Sequence, residues 1–160
     1  MILTVAALAL WSGVFEGKGR DVRVERYQAA PGWILYVRQD RFTGTTSCLM
    51  KGRKMTYRHG VLTFHFSHRT DTANALYRVD QGPARAVGLV GPEAAGLGAE
   101  FKSKNTKNPS DGKVHIPSAH LEAAQTVSVR PNKKRQATSF SLTGFDQALT
   151  VAKRLNCDVP

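Results

Sequence analysis

The sequence predicts a mainly β protein, an antiparallel β-sandwich or strongly bent sheet with one C-terminal helix packed on it. Short apolar segments recur along the chain with turn residues between them, and most alternate apolar with polar positions, as a strand with one buried face does. That period changes once. Thr138, Phe140 and Leu142 alternate with Ser139 and Ser141, whereas Phe145, Ala148, Leu149, Ala152 and Leu155 recur at helical spacing. With 160 residues, 41% of them hydrophobic, the chain can bury a core as one domain.

Ile2 to Phe15 is almost wholly apolar but shorter than the roughly 20 residues that span a bilayer. Its length fits the apolar part of an export signal, with Ala7-Leu8-Ala9 as a small-x-small cleavage site, although no Lys or Arg precedes it. Residues 1–20 are therefore expected to be a signal peptide or N-terminal apolar anchor, and 21–160 a single β-rich domain. A buried first strand or helix is the alternative for the apolar run. Glu16 to Arg26, polar and charged, reads as a linker or an edge strand.

Strands are then expected at Trp33–Val37, Ser47–Met50, Met55–Tyr57, Val61–Phe66 and Leu76–Asp80, with an extended stretch from Ala84 to Val90. Pro31-Gly32, Lys51-Gly52-Arg53, His59-Gly60 and Gln81-Gly82-Pro83 supply turns between them. Gly91 to Gly112 lacks periodicity and is expected to be a long loop, with a short helix or strand hidden between Glu93 and Phe101. Lys113–Ile116 reads as a strand stopped by Pro117, and Ser118 as the cap of a short helix through Ala124. Thr126–Arg130 is expected to pair with Gln136–Leu142 across Pro131–Arg135, giving seven to nine strands in all. For the final helix, Thr143 is the expected N-cap and Asp146 completes a capping box, with Lys153 and Arg154 near the negative end of the helix dipole.

The chain has two cysteines, Cys48 and Cys157, so each is the other's sole intrachain partner. A bond between them would close a loop of about 110 residues and stabilise the fold by roughly 4–5 kcal/mol. Such a bond persists in an oxidising compartment; in cytosol the two would remain separate thiols.

Motifs of established chemistry are absent. The sequence has no Gly-x-Ser-x-Gly, no His-Glu-x-x-His and no phosphate-binding loop ending in Gly-Lys-Ser/Thr. His65 and His68 are three apart, which on a strand points them to opposite faces, and His59, His115 and His120 have no Cys or carboxylate at ligand spacing. No metal, cofactor or catalytic residue is expected. Asp71 and Asp80 read as solvated turn residues, and Arg78 as an ion-pair partner of Asp80 or a grip for a partner's carboxylate.

A formal net charge of +11 favours anionic partners. Lys51, Arg53, Lys54 and Arg58 form one cationic group, Lys102, Lys104, Lys107 and Lys113 a second, and Lys133, Lys134 and Arg135 a third. All lie in predicted turns or loops. Arg53, Lys54, Arg58, Arg78, Lys102, Lys104, Lys107, Lys133, Lys134 and Arg135 are accordingly the candidate binding residues. Few aromatics sit beside the second and third groups, which places single-strand nucleic acid below a generic anionic surface.

Several residues together carry a resemblance: Trp33; Asp40, Thr43, Gly44 and Cys48; Tyr77, Arg78 and Asp80; Val127, Val129 and Arg130; and Phe140, Leu142, Gly144, Phe145, Ala148, Leu149 and Cys157. In that order the pattern resembles small exported bacterial proteins of the invasion-associated locus B kind and type VI secretion-associated accessory proteins of the TagO kind. The resemblance implies a β-rich periplasmic domain with an accessory or binding role and no catalytic residues. The two cysteines are fewer than the locus B pattern has, and the basicity departs from both groups. The expected function is thus non-enzymatic: a periplasmic or secreted protein that recognises an envelope protein or an anionic envelope polymer, with no integral membrane span. A basic nucleic-acid-binding domain is the alternative, and an unrecognised hydrolase the second.

Overall fold

Alternation decides the architecture. In β3 (Trp33–Asp40), Trp33, Leu35 and Val37 are buried, with Ile34 and Tyr36 half-buried between them. Met55 and Tyr57 repeat the period in β5 (Met55–Arg58), Leu62 and Phe64 in β6 (Val61–His65), and Val127 and Val129 in β10 (Thr126–Arg130). The computed structural model, which describes residues 10–16, 21–87 and 111–157, gathers these strands into two antiparallel sheets. The larger runs β1 (Leu10–Glu16), β2 (Val22–Ala30), β3, β4 (Thr46–Gly52), β5, β6 and β9 (Lys113–Pro117). The smaller runs β11 (Thr138–Ser141), β10, β7 (Leu76–Val79) and β8 (Arg85–Ala86). Neither closes on itself, and they meet where Phe140 of β11 packs edge-on against Phe64, ring centres 4.9 Å apart.

The polar stretch before Tyr27 is neither linker nor edge, because β2 pairs with β1 on one side and β3 on the other. Two of its charges pair along one face. Arg23 bonds Glu25 at 2.9 Å, and Glu25 accepts the Tyr27 hydroxyl. Burial, then the bond to the Glu25 carboxylate, pushes the Tyr27 phenol up to about 12. Asp40 acts as a local clamp after β3: its carboxylate accepts the N–H groups of Phe42 and Thr43. That clamp, the Thr43 bond first, holds it below the usual carboxylate range.

The C-terminal helix, α1 (Phe145–Arg154), packs on β2 and β3. Its expected N-cap is displaced. Gly144, at φ 80°, occupies the capping position with no side-chain bond, because Thr143 is engaged elsewhere. The Thr143 carbonyl accepts the indole N–H of Trp33 at 2.9 Å, and its hydroxyl pairs with Ser141. A side chain at position 144 would meet the Ala30 methyl at 3.1 Å, so the left-handed turn and the close approach both call for glycine. Trp33 then packs against Phe145 at 5.0 Å, and Gly52 leaves room for the ring, since a Cβ there would lie 2.9 Å from it. Phe145, Ala148, Val151 and Ala152 are the buried stripe; Leu149 and Leu155 are half-buried, and Val151 is the position the helical spacing missed.

The far end closes by a Schellman arrangement. Asn156 adopts φ 54°, its N–H donates to Lys153, and the Cys157 N–H donates to Ala152. This turn carries Cys157 to Cys48 on β4, and the two form a disulfide with Cα atoms 5.5 Å apart across 109 residues.

Elsewhere the expectations shift modestly. The helix after Pro117 is a 3-10 turn, Ser118–Leu121, with no cap from Ser118. Of the stretch from Ala84, Arg85–Ala86 forms β8, and residues 88–90 and the proposed element at 93–101 lie outside the described residues. Eleven strands among the described residues exceed the seven to nine expected, chiefly through β1, β2 and the two-residue β8.

Two outcomes follow from this seating of the helix. Reduction is expected to raise the full-length mass by the two thiol hydrogens and to lower the melting temperature by roughly 10 °C; mass spectrometry and thermal melts with and without reductant measure both. Trp33→Phe, which strands the Thr143 carbonyl, should cost about 2 kcal/mol in urea unfolding, whereas Ile34→Val on the other face of the same strand should cost less than about 1.5 kcal/mol.

Candidate binding cleft

The expected cationic groups are brought together in part. Gly52 pairs with Met55, so Arg53 and Lys54 form a two-residue turn between β4 and β5. Lys54 sits at φ 56°, and its carbonyl accepts the His65 N–H at 2.9 Å, which ties the turn to the end of β6. The β10–β11 connection is organised by Asn132. Its amide donates to the Asp71 carbonyl and accepts the Lys134 N–H, and its carbonyl accepts the Arg135 N–H. Both turns therefore present their cations from fixed backbone.

Between the β4–β5 turn and β11 lies a cleft of about 560 Å³, bounded by Arg53 and Lys54 on one wall and Ser139 and Ser141 on the other. Its apolar lining comes from Trp33, Met55 and Phe140. A second hollow of about 400 Å³ continues past Thr138 to Lys134 and Arg135, with Phe66 beside it. Phe66 packs edge-on against Phe140, 5.9 Å between ring centres, so the apolar linings of the two hollows touch, and Thr138 borders both. Among the described residues no Asp, Glu, His or Cys lines either. The result is a trough with positive charge at both ends and no acid–base or nucleophilic pair along it.

The remaining candidates lie elsewhere. Arg58 is exposed at the opposite end of β5 from Lys54, roughly 13 Å away at strand rise. Arg78 is exposed on β7, opposite Ser128 and separated from β11 by β10. Lys133 is exposed in the β10–β11 turn but does not line the cleft. Lys102, Lys104 and Lys107 lie outside the described residues. Lys51 is placed over the Tyr36 ring at 5.1 Å. The residues that sequence reasoning missed are Ser139, Ser141, Met55 and Phe140. One signal for the first two was present: Ser139 and Ser141 alternate with Thr138, Phe140 and Leu142, which puts them on the polar face of the last strand before the helix.

The expected Arg78–Asp80 pairing is replaced by a different bond. Asp80, at φ 47°, turns its carboxylate onto β10, accepting the N–H groups of Gln125 and Thr126 and the Thr126 hydroxyl. It is thus a backbone clamp between β7 and β10. Three of the five histidines bond hydroxyls: His65 with Thr56, His115 with Thr63, and His120 with Tyr77. Burial, and then Lys113 nearby, hold His65 below its ordinary range. Among the described residues no group of three or more His, Cys, Asp or Glu is placed to hold a metal, and no helix is long and apolar enough to cross a membrane.

Comparison with protein-family models, with curated proteins and with solved structures found no match. The likeness to the locus B and TagO groups rests on the quoted residues alone. Several of these have architectural duties: Trp33 seats the helix, Asp40 and Thr43 shape a loop, and Asp80 joins two strands.

The Asp80 clamp has a pH signature. Hydrogen bonds to the charged form, the Thr126 N–H foremost, lower its pKa on folding. Its contribution is therefore complete above the unfolded carboxylate's value and is lost as pH falls below about 4 through the folded value. Urea midpoints measured across that window should fall more steeply for the wild type than for Asp80→Asn.

Proposed function

We propose that this chain is a non-enzymatic binding or accessory domain, exported to the periplasm or secreted, that recognises an anionic partner in the cell envelope through the cleft beside β11. The partner is an envelope protein or an anionic envelope polymer. One observation carries this reading: a trough with Arg53 and Lys54 at one end, Lys134 and Arg135 at the other, and no carboxylate among the described residues that line either part. Charges of one sign lining a concave surface focus their field and raise the local concentration of a counter-charged ligand. The lack of an acid–base pair in the trough supports binding over hydrolysis.

Export is supported by the Cys48–Cys157 disulfide, which an oxidising compartment maintains, and by the apolar run from Ile2 to Phe15 with Ala7-Leu8-Ala9 inside it. Nucleic acid is the weaker partner. Base stacking requires aromatic faces open to the ligand, and in this trough Trp33 is 2% and Phe140 6% exposed.

Dextran sulfate serves as a probe for the anionic site. Its affinity should weaken between about 0.05 and 0.5 M NaCl. Arg53→Glu with Lys54→Glu should lower it at least about tenfold, while Arg58→Glu with Arg78→Glu leaves it within about threefold. Equal losses in the two double variants would mean diffuse charge and no site. Fractionation of a tagged protein tests location: recovery from the periplasm, with a new N-terminus after Ala9, supports export, and recovery from the cytosol with two free thiols refutes it.

A further inference from the structure

The bonding of β11 can be assigned residue by residue. The Leu142 N–H donates to the Gln125 carbonyl at 2.8 Å, and the same register sets Phe140 opposite Val127 and Ser141 opposite Thr126. Hydrogen-bonded and non-bonded pairs alternate in an antiparallel ladder. Thr138 and Phe140 therefore turn their N–H and C=O groups toward β10, and Ser139 and Ser141 turn theirs away from it. The other side of β10 agrees, because the Asp80 N–H donates to the Thr126 carbonyl at 3.0 Å, committing Thr126 to β7. The hydroxyls of Ser139 and Ser141 are occupied by Ser128 and Thr143 and do not fold back over the outward backbone groups.

Among the described residues β11 is the terminal strand of its sheet, and Ser139 and Ser141 border the cleft. Edge strands are ordinarily protected by proline, an inward charge, a bulge or a covering element. Thr138-Ser139-Phe140-Ser141 has no proline or charge, and its register with β10 is unbroken. Exposed strand edges of this kind accept extended peptides as additional strands, with backbone bonds supplying affinity and alternate side chains supplying selectivity.

We propose that β11 is a docking edge at which an extended acidic segment of a partner polypeptide adds as a fifth strand of the smaller sheet. This rests on the anionic-partner reading above and narrows the partner to a polypeptide. The added strand bonds the N–H and C=O groups of Ser139 and Ser141. Alternate side chains on one of its faces enter the cleft over Met55 and Phe140, and carboxylates beyond them meet Arg53 and Lys54 at one end and Lys134 and Arg135 at the other. Charge decides against a second copy of this chain as the occupant. An edge-to-edge dimer would bring two sets of these four cations together with no carboxylate lining the cleft to offset them.

The test compares three probes by calorimetry on the oxidised protein: a capped heptapeptide alternating glutamate and valine, the same peptide N-methylated at alternate residues in each of the two possible phases, and dextran sulfate. The unmethylated peptide should bind, and one methylation phase should lose at least tenfold while the other is nearly unchanged. Ser139→Pro removes one outward N–H at a position where an edge strand tolerates proline. With an unchanged circular dichroism spectrum, it should lose at least tenfold for the peptide and leave dextran sulfate within threefold, while Ser139→Ala binds both like the wild type. The methylated peptides need no protein variant, so the proposal stands or falls even if Ser139→Pro does not fold. If dextran sulfate and peptide bind but methylation in either phase changes nothing, strand addition is overturned and the electrostatic site survives. If neither probe binds at low salt, both readings fall. A dimer in sedimentation that Ser139→Pro abolishes would give the edge to a second copy and overturn the acidic partner.

Discussion

The indole of Trp33 sets the geometry on which the rest of the molecule depends. It starts β3, donates to the Thr143 carbonyl, and lies against Phe145, so one side chain fixes where the last strand stops and the last helix begins. The second fixed point is Cys48, opposite Val37, four residues further along β3. Four strand residues span roughly 13 Å and ten helical residues roughly 15 Å. The helix is therefore matched in length to the distance between its two anchors. A hydrogen bond, a pair of rings and a disulfide replace the side-chain cap that the helix lacks.

That arrangement explains what the sequence made legible. The strand-to-helix change of period after Leu142 needs no tertiary information, and neither does the pairing of two lone cysteines. The displaced cap was not legible, because the Thr143 hydroxyl pairs with Ser141 and its carbonyl is held by Trp33, a residue 110 positions away in the chain. The charges of Arg23 and Glu25 disguised β2 for a similar reason. Local composition shows only a charged, polar stretch, whereas the pairing of Arg23 with Glu25 along one strand face appears only once the strand exists. Asp80 was misjudged because its partners belong to β10, more than forty residues on.

The cleft shows the same division. Arg53, Lys54, Lys134 and Arg135 are visible as cations in turns, but their grouping depends on β11 lying beside the β4–β5 turn. The apolar residues beside them, Met55, Phe66 and Phe140, come from three separate segments. Arg58 and Arg78 look equivalent in the sequence, yet strand direction and strand order carry them away from it. Charge count alone could not rank these positions; topology does.

The disulfide also divides the chain into two unequal parts. Everything from Cys48 to Cys157 lies within one covalent ring, which contains the whole smaller sheet and the whole C-terminal helix. β1, β2 and β3 stand outside that ring. A single protease cut at any peptide bond inside it leaves one molecule with both fragments still attached, while a cut before Cys48 can release a free piece. In an environment rich in proteases, the smaller sheet and its open edge are thus retained through an event that would otherwise separate them.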